Sequence, residues 1–526
     1  SDGNLSVTAV DTIVNNYTYI VNKTILSGSK VIGVNDSTQF RVGNEILIIQ
    51  IKNSSDGGKA GTYEFARINS ISTNNITVVD TIKNNYYSGA FDLNHSNTTQ
   101  IVKVPNYINV TIDSGASITA PAWDSYVGGI VVFRARGNVT VNGLINVSYK
   151  GYRGGETGGN GSEYYGGYWT GGGGDGVDGL QNSGSAETGK AGGAGGGTGT
   201  GGSGGAGGTS GSTRGKDGSD GTTTGSVATG GGAGGGFFSN SQNGGGGGAG
   251  ARGGGGGGSR GVGASTYRGS GAGGGGAYDS VNNTAPGDFL VILFGSGGSQ
   301  GAGGGAGGPQ AAGKIGTKGG ANGTGGIGQG DSEVDAVDGL SGNAGGGIVM
   351  VYSNTITASE KAYLILADGG AGGTGGDGGD MRSAGGDGGG GGSGGQGAGG
   401  GSIYIVAANV TFVENATVAR GGKGGDGGEG GSGLADGGNT ESAGGKEGGG
   451  ANWSIGSDIG TVGRGAVAAP TINDWSYGGG GGGAGGNTGF RGKIRIEHIR
   501  VNISTIDAGD PAPSNGSLNN YYSFGN

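Results

Sequence analysis

Short runs of alternating apolar and polar residues fill the first 120 positions, at 17–21, 30–34, 45–51, 63–68, 76–82 and 101–104. β-branched side chains dominate them, and turn pairs such as Asn35-Asp36 and Gly43-Asn44 separate them. A two-residue period with turns at this spacing predicts strands, and several short strands in a row predict a small barrel or sandwich over 1–120.

Past Pro121 a second pattern begins. A glycine tract feeds an apolar run, an asparagine opens a second run, a third short run follows, and glycine resumes. This grammar predicts β-units near 126–151, 346–368, 401–420 and 490–508, with a truncated fifth near 287–297. Together they define a glycine-rich β-repeat domain over 121–510, and a tail over 511–526. Three complete copies carry Asn-x-Ser/Thr at what reads as the same point, Asn138, Asn409 and Asn502; in the fourth, Asn354 is followed directly by Thr355 and the tripeptide is lost. The fold class is therefore all-β: an N-terminal barrel or sandwich, then a sandwich or solenoid-like scaffold interleaved with glycine tracts.

Glycine supplies 150 of 526 residues, and its tracts carry the rest of the architecture. Collagen needs abundant proline, and the chain has 7. Two ways of ordering the tracts stay open. Polyglycine-II helices, with three residues per turn and no Cβ, can pack closely and exchange backbone hydrogen bonds. Long Ω-like loops clamped on a β-scaffold are the other. Fixing a glycine backbone costs about 1–2 kcal/mol, so only a cooperative lattice offsets it.

With 31% apolar and 13% charged residues and a net charge of -9, the chain offers neither one large core nor the clustered cations that nucleic acid requires. It has no cysteine, which excludes disulfides and thiolate metal sites. It opens Ser1-Asp2-Gly3-Asn4 without an initiator methionine, as a processed form does, and no apolar run is long enough to span a bilayer. The tripeptide Asn-x-Ser/Thr begins at Asn4, Asn16, Asn22, Asn35, Asn53, Asn75, Asn94, Asn97, Asn109, Asn138, Asn146, Asn160, Asn282, Asn322, Asn409, Asn415, Asn452, Asn502 and Asn515. That frequency reads as a surface exposed to an N-glycosylation system, which places the chain outside the cell, in archaea, some bacteria or eukaryotes. The plainer reading is that asparagine and threonine are common in turns and strands.

Four stretches carry a resemblance: Gly43-Asn-Glu-Ile-Leu-Ile-Ile-Gln50, Gly61-Thr-Tyr-Glu-Phe-Ala-Arg-Ile68, Ile118-Thr-Ala-Pro-Ala-Trp123, and the stretch from Gly129 through Gly143. Over roughly residues 1–155 the chain resembles the N-terminal region of large glycine-rich secreted proteins of bacteria and archaea, labelled adhesins or agglutinins. By composition alone it also resembles glycine-rich phage adhesin tips and glycine-rich antifreeze proteins. The resemblance implies an extracellular or cell-surface structural role and carries over no catalytic residue.

Sites for chemistry are few. His95 and His498 are the two histidines, too few for a triad or a histidine metal centre. Gly-x-Gly-x-x-Gly recurs because glycine is abundant, and no tract closes as a phosphate loop. Asp175 and Asp178 match one calcium-binding nonapeptide, and Asp377 and Asp426 match it in part; calcium is the one cofactor these oxygens suit, although such turns work in tandem and these are isolated. Aromatics cluster at Tyr164-Tyr165, Tyr168-Trp169, Phe237-Phe238 and Trp475-Ser-Tyr477, either capping glycine layers or stacking on sugars or subunits. Asn84-Asn85-Tyr86-Tyr87-Ser88 is echoed by Asn519-Asn520-Tyr521-Tyr522-Ser523, which suggests a C-terminal strand bearing Tyr521, Tyr522 and Phe524 that docks in a neighbouring copy. The expectation is a secreted, glycosylated, non-catalytic subunit that assembles with itself into a filament, fibre or sheath, with covalent N-glycans as its other partner. A glycan-binding adhesin and an ice-binding protein are the alternatives.

Overall fold

The computed structural model describes residues 2–21, 24–52, 60–88, 98–154, 163–164, 168–169, 292–295, 297–298, 308–309, 340–377, 386–387, 394–395, 397–426, 428–429, 433–434, 441–442, 489, 492–503 and 520–523. These residues are all-β.

The backbone of the molecule is a parallel β-solenoid. Its main sheet runs β1 (Leu5–Val7), β10 (Val110–Ile112), β12 (Ile130–Val141), β17 (Ile348–Ala358), β20 (Ser402–Phe412), β24 (Lys493–Ile503) and β25 (Asn520–Ser523), with β9 (Asn106–Tyr107) also on β12. A second parallel sheet stacks β2 (Thr12–Ile13), β11 (Ser117–Thr119), β13 (Leu144–Asn146), β18 (Ile365–Leu366) and β21 (Thr417–Val418). The rungs opened by β12, β17 and β20 are each one long strand, a turn and one short strand. β12 and β17 are apolar on both faces at their starts, as parallel strands covered on both sides are. Val131, Phe133, Val349, Val351, Ile403 and Ile405 fill the space between the two sheets. Ile130, Val132, Ile348 and Met350 face the other way.

That outer face is covered by an antiparallel six-stranded sheet, in the order β3 (Tyr17–Tyr19), β8 (Thr98–Val104), β5 (Glu45–Lys52), β6 (Tyr63–Ser72), β7 (Asn75–Val78) and β4 (Val31–Gly33). A bridge between Ile20 and Val34 joins the two outer strands, so the sheet closes into a small barrel around Ile32, Phe40, Ile46, Ile48, Ile76 and Ile101. Leu47, Ile49, Val102 and Val104 alternate outward and pack on the solenoid. The run Ile46-Leu-Ile-Ile49 is thus fully buried because its two faces serve two cores.

The boundary expected at residue 120 falls elsewhere. Leu5–Val7 pairs in register with Val110–Ile112, which pairs with β12, and Thr12–Ile13 pairs with Ser117–Thr119. The barrel, 17–104, is inserted between the first two rungs. Those rungs are built from two- and three-residue strands without glycine tracts, so the repeat grammar does not register them. The fifth unit near 287–297 also differs. Where described, it is no strand: Leu293 exchanges bonds with the Ser402 hydroxyl, 3.1 Å to its N–H and 2.6 Å to its carbonyl, and Phe294 packs between Trp123 and Tyr152 with ring centroids 5.5 and 5.2 Å away. Short two-residue antiparallel ladders complete the inventory: β14 (Glu163–Tyr164) with β15 (Tyr168–Trp169), and β16 (Gly308–Pro309), β19 (Gly386–Asp387), β22 (Gly433–Leu434) and β23 (Glu441–Ser442) in one small sheet.

The described glycine tracts form a backbone lattice along the rungs. Between 369–375 and 420–426, N–H groups of Gly369, Gly372 and Gly375 donate to the carbonyls of Arg420, Lys423 and Asp426 at 2.9, 2.9 and 2.7 Å. The returning tract runs antiparallel: Gly395, Ala398 and Gly401 donate to Gly373, Gly370 and Ala367 at 2.7–2.8 Å. Gly422 and Gly425 then donate to Ala398 and Gly395, and Gly489 and Gly492 to Gly422 and Ala419. Every one of these ladders repeats at three residues, the period of a polyproline-II-type helix. The same period appears in what cannot be added. A Cβ on Gly422, Gly425 or Gly428 would lie 1.8–2.0 Å from the carbonyl oxygens of Gly370, Gly373 and Gly376. The described tracts are therefore ordered polyglycine-II-like helices.

Candidate functional site

The parallel register lines up the sequons of the solenoid. Leu5, Val110 and Val139 are paired in β1, β10 and β12, so Asn4, Asn109 and Asn138 stand on successive rungs. In each tripeptide the middle residue points at the core and the Ser or Thr points out, as alternation in a strand requires. The amides form a spine. Asn4 Oδ1 accepts from the Asn109 N–H at 3.2 Å and from Asn109 Nδ2 at 3.1 Å, and Asn109 Oδ1 accepts from the Asn138 N–H at 2.9 Å. Gly137 makes room, since a Cβ there would sit 2.3 Å from Asn109 Oδ1. The level continues through Thr355 to Asn409 and then Arg500, so Asn502 lies beside Thr411, two positions beyond the level assigned to it by the repeat. The register shifts between β12 and β17, where Arg136 and Gly137 stand against the single Asn354.

Elsewhere, Asn35 and Asn75 are exposed at one end of the barrel. Asn16, Asn146, Asn409 and Asn415 are half-buried; Asn16 Nδ2 donates to the Gln39 carbonyl at 3.4 Å and Asn146 Oδ1 accepts from the Ser148 N–H at 2.9 Å. Asn22, Asn53, Asn94, Asn97, Asn160, Asn282, Asn322, Asn452 and Asn515 lie outside the described residues.

Sequence reasoning missed the seam between barrel and solenoid. The Arg134 guanidinium lies between the rings of Phe65 and Tyr352, 4.6 and 4.3 Å from their centroids, with Nε 2.9 Å from Glu45 Oε1. On the next rungs Tyr352 meets Tyr404 edge-on at 5.8 Å, Arg495 lies 5.1 Å from the Tyr404 ring and pairs with Glu497, and the Tyr404 hydroxyl donates to Glu497 at 2.9 Å. Burial raises the pKa of Tyr63, Tyr352 and Tyr404, and the Glu497 carboxylate adds to the effect at Tyr404. These phenols stay protonated donors at neutral pH. The cluster offers hydroxyls, guanidinium groups and carboxylates side by side at one junction.

Two buried amides hold the same junction in place of missing backbone. Asn15 Nδ2 donates to the carbonyls of Lys103 and Val132 at 2.9 and 2.6 Å, and its Oδ1 accepts from the Val132 N–H at 3.1 Å. Gln100 exchanges a similar pair with Gly128, at 3.1 and 2.8 Å.

The other sequence candidates scatter. Asp377 and Asp426 are exposed, at successive triplets of two different glycine helices; Asp377 Oδ1 accepts from the Glu429 N–H at 2.7 Å. Their spacing to glycine comes from the three-residue turn of the helix, not from a calcium turn, and among the described residues no cluster of three acidic or histidine ligands forms. Asp175, Asp178, His95, Phe237, Phe238, Trp475, Tyr477 and Phe524 lie outside the described residues. His498 lies in β24, where burial lowers its pKa. β25, which holds Tyr521 and Tyr522, pairs in parallel with β24 of the same chain, Ile496 opposite Tyr521.

No protein-family profile matches the chain, and no curated protein does. Solved structures with a partial match include bacteriophage tailspikes. One, from Acinetobacter baumannii phage AP22 in complex with A. baumannii capsular saccharide, is 12% identical over 27% of this chain and 28% of its own, with a TM-score of 0.16. Those of Pseudomonas phages LKA1 and phi297 are 14% and 9% identical over 27% of this chain and 30% and 29% of theirs, each with a TM-score of 0.15. The chain spans under a third of each tailspike it matches, and likeness at that level carries no conclusion about what it binds or does.

Proposed function

We propose that this chain is a secreted structural subunit, N-glycosylated and without catalytic activity, that assembles with further copies into a filament, fibre or sheath at the cell surface. The observation that carries this reading is the glycine lattice. It joins successive rungs through backbone bonds at three-residue intervals, with Asp368 and Asp377 adding carboxylate bonds to Arg420 and to the Glu429 N–H, and its cooperative bonding suits a load-bearing material. Exposed sequons at Asn4, Asn35, Asn75 and Asn138 suit a sugar coat that keeps strand edges from pairing at random. Electron microscopy of material sheared from source cells tests the reading. Regular filaments or sheets containing the chain support it, and dispersed monomers or isolated tips on other appendages defeat it.

One feature favours a second reading, a surface adhesin. The seam gathers Tyr63, Tyr352, Arg134 and Glu497, side chains that stack on and hydrogen-bond to sugars. Binding of the monomer on a glycan array, lost in Arg134→Ala, would move the proposal there.

A further inference from the structure

We infer that the folded chain carries N-linked sugar at Asn4, Asn35, Asn75 and Asn138 and excludes it from Asn109. This rests on the glycoprotein reading above and names its sites. Sugar is attached through Nδ2, which must give up one hydrogen and face open space. Among the described residues, Nδ2 of Asn4, Asn35, Asn75 and Asn138 has no hydrogen-bond acceptor, and each of these residues is exposed.

Asn109 is the opposite case. Its side chain lies along the solenoid axis, Nδ2 bound to Asn4 Oδ1 at 3.1 Å and Oδ1 bound to the Asn138 N–H at 2.9 Å. It is half-buried, with one rung on either side and the Gly137 backbone against its oxygen. Neighbouring strands stand about 4.8 Å apart. A sugar on Asn109 would have to fit between the side chains of Asn4 and Asn138, and turning the amide outward would break both bonds. Asn4 ends the spine on one side. At Asn138 the next rung places Thr355 at the level, with no amide to engage. Sugars on Asn4 and Asn138 are thus two rungs apart, about 10 Å, with Asn109 as an unmodified spacer.

The test is glycopeptide mapping, by electron-transfer fragmentation, of the full chain isolated from its source cells. The expected result is sugar on the four peptides holding Asn4, Asn35, Asn75 and Asn138, and unmodified asparagine at 109. Sugar on Asn109, or a bare asparagine at any of the four, overturns the site assignment while leaving the protein a glycoprotein. A chain bare at every sequon overturns the assignment and the glycoprotein reading together.

Discussion

Gly425→Ala tests the lattice most directly. The added methyl would sit 2.0 Å from the Gly373 carbonyl oxygen and 2.5 Å from its carbon. Carbon–oxygen contacts settle above about 3 Å, so helices 369–376 and 420–428 must part by about 1 Å. That stretches Gly372 to Lys423 and Gly375 to Asp426, now 2.9 and 2.7 Å, beyond hydrogen-bonding range. Two orphaned N–H groups cost about 1–3 kcal/mol each, while alanine returns about 0.4–1 kcal/mol by stiffening the unfolded chain. The net loss is about 1–5 kcal/mol, which opens the lattice locally at least about five-fold more often. Hydrogen–deuterium exchange read by mass spectrometry on peptides spanning 366–378 and 418–430 measures it. Thr374→Ala is the control: position 371, one triplet earlier, is already alanine, and the change should stay within about 0.5 kcal/mol. Wild-type exchange in Gly425→Ala, or equal acceleration in both variants, would refute the lattice argument.

Asn15→Ala should cost about 2–3 kcal/mol in denaturant titration, because it strands the Lys103 carbonyl and both backbone groups of Val132 in the junction. Alkaline titration followed at 295 nm should show buried phenols resisting ionisation: burial, with the Asp2 charge, pushes Tyr107 up to about 12, and burial raises Tyr17, Tyr86 and Tyr352 as well. Their folded pKa values exceed the unfolded 10.0, so the stability they contribute is whole below pH 10 and falls as pH rises through the folded values; full tyrosinate absorbance near pH 10 in the folded protein would contradict this. His498 has the reverse sign. Its folded pKa is lowered below 6.5, so its contribution is whole above pH 6.5 and is lost as pH falls through the folded value, a loss that His498→Gln should remove. A chelator should leave the melting temperature unchanged, since Asp377 and Asp426 serve the triplet helices; a large drop would restore a structural calcium.

β12, β17 and β20 were legible because each carries a four-to-five-residue apolar run at or next to glycine, buried on both faces, while β24 showed only Ile494 and Ile496 alternating with Lys493 and Arg495. The first two rungs were not, since three-residue strands such as Leu5–Val7 carry too few residues to show a period. Asp368-Gly-Gly-Ala371-Gly-Gly-Thr374-Gly-Gly-Asp377 and Arg420-Gly-Gly-Lys423-Gly-Gly-Asp426 held the lattice period in plain view. Read as nonapeptides they suggested calcium; read as triplets they give the helix turn. The seam stayed hidden because its members come from six strands, and only the register brings Arg134 beside Tyr352. A signal existed: each is the fourth residue after the isoleucine that opens its strand, Ile130 and Ile348. The run 289–294 misled because apolar residues suit a seam as well as a strand.

The barrel enters and leaves the solenoid at one spot, where the Lys103 N–H donates to the Asn16 carbonyl at 2.8 Å. Without it, pairing Leu5 with Val110 means closing a loop of about a hundred residues, which is slow. A barrel that folds first shortens that search to a few residues, so the order of events in folding is written into the insertion. The same narrow neck makes the position a socket: a module whose ends meet at hydrogen-bonding distance, and which covers Ile130, Val132, Ile348 and Met350 as the barrel does, would leave the rungs in register.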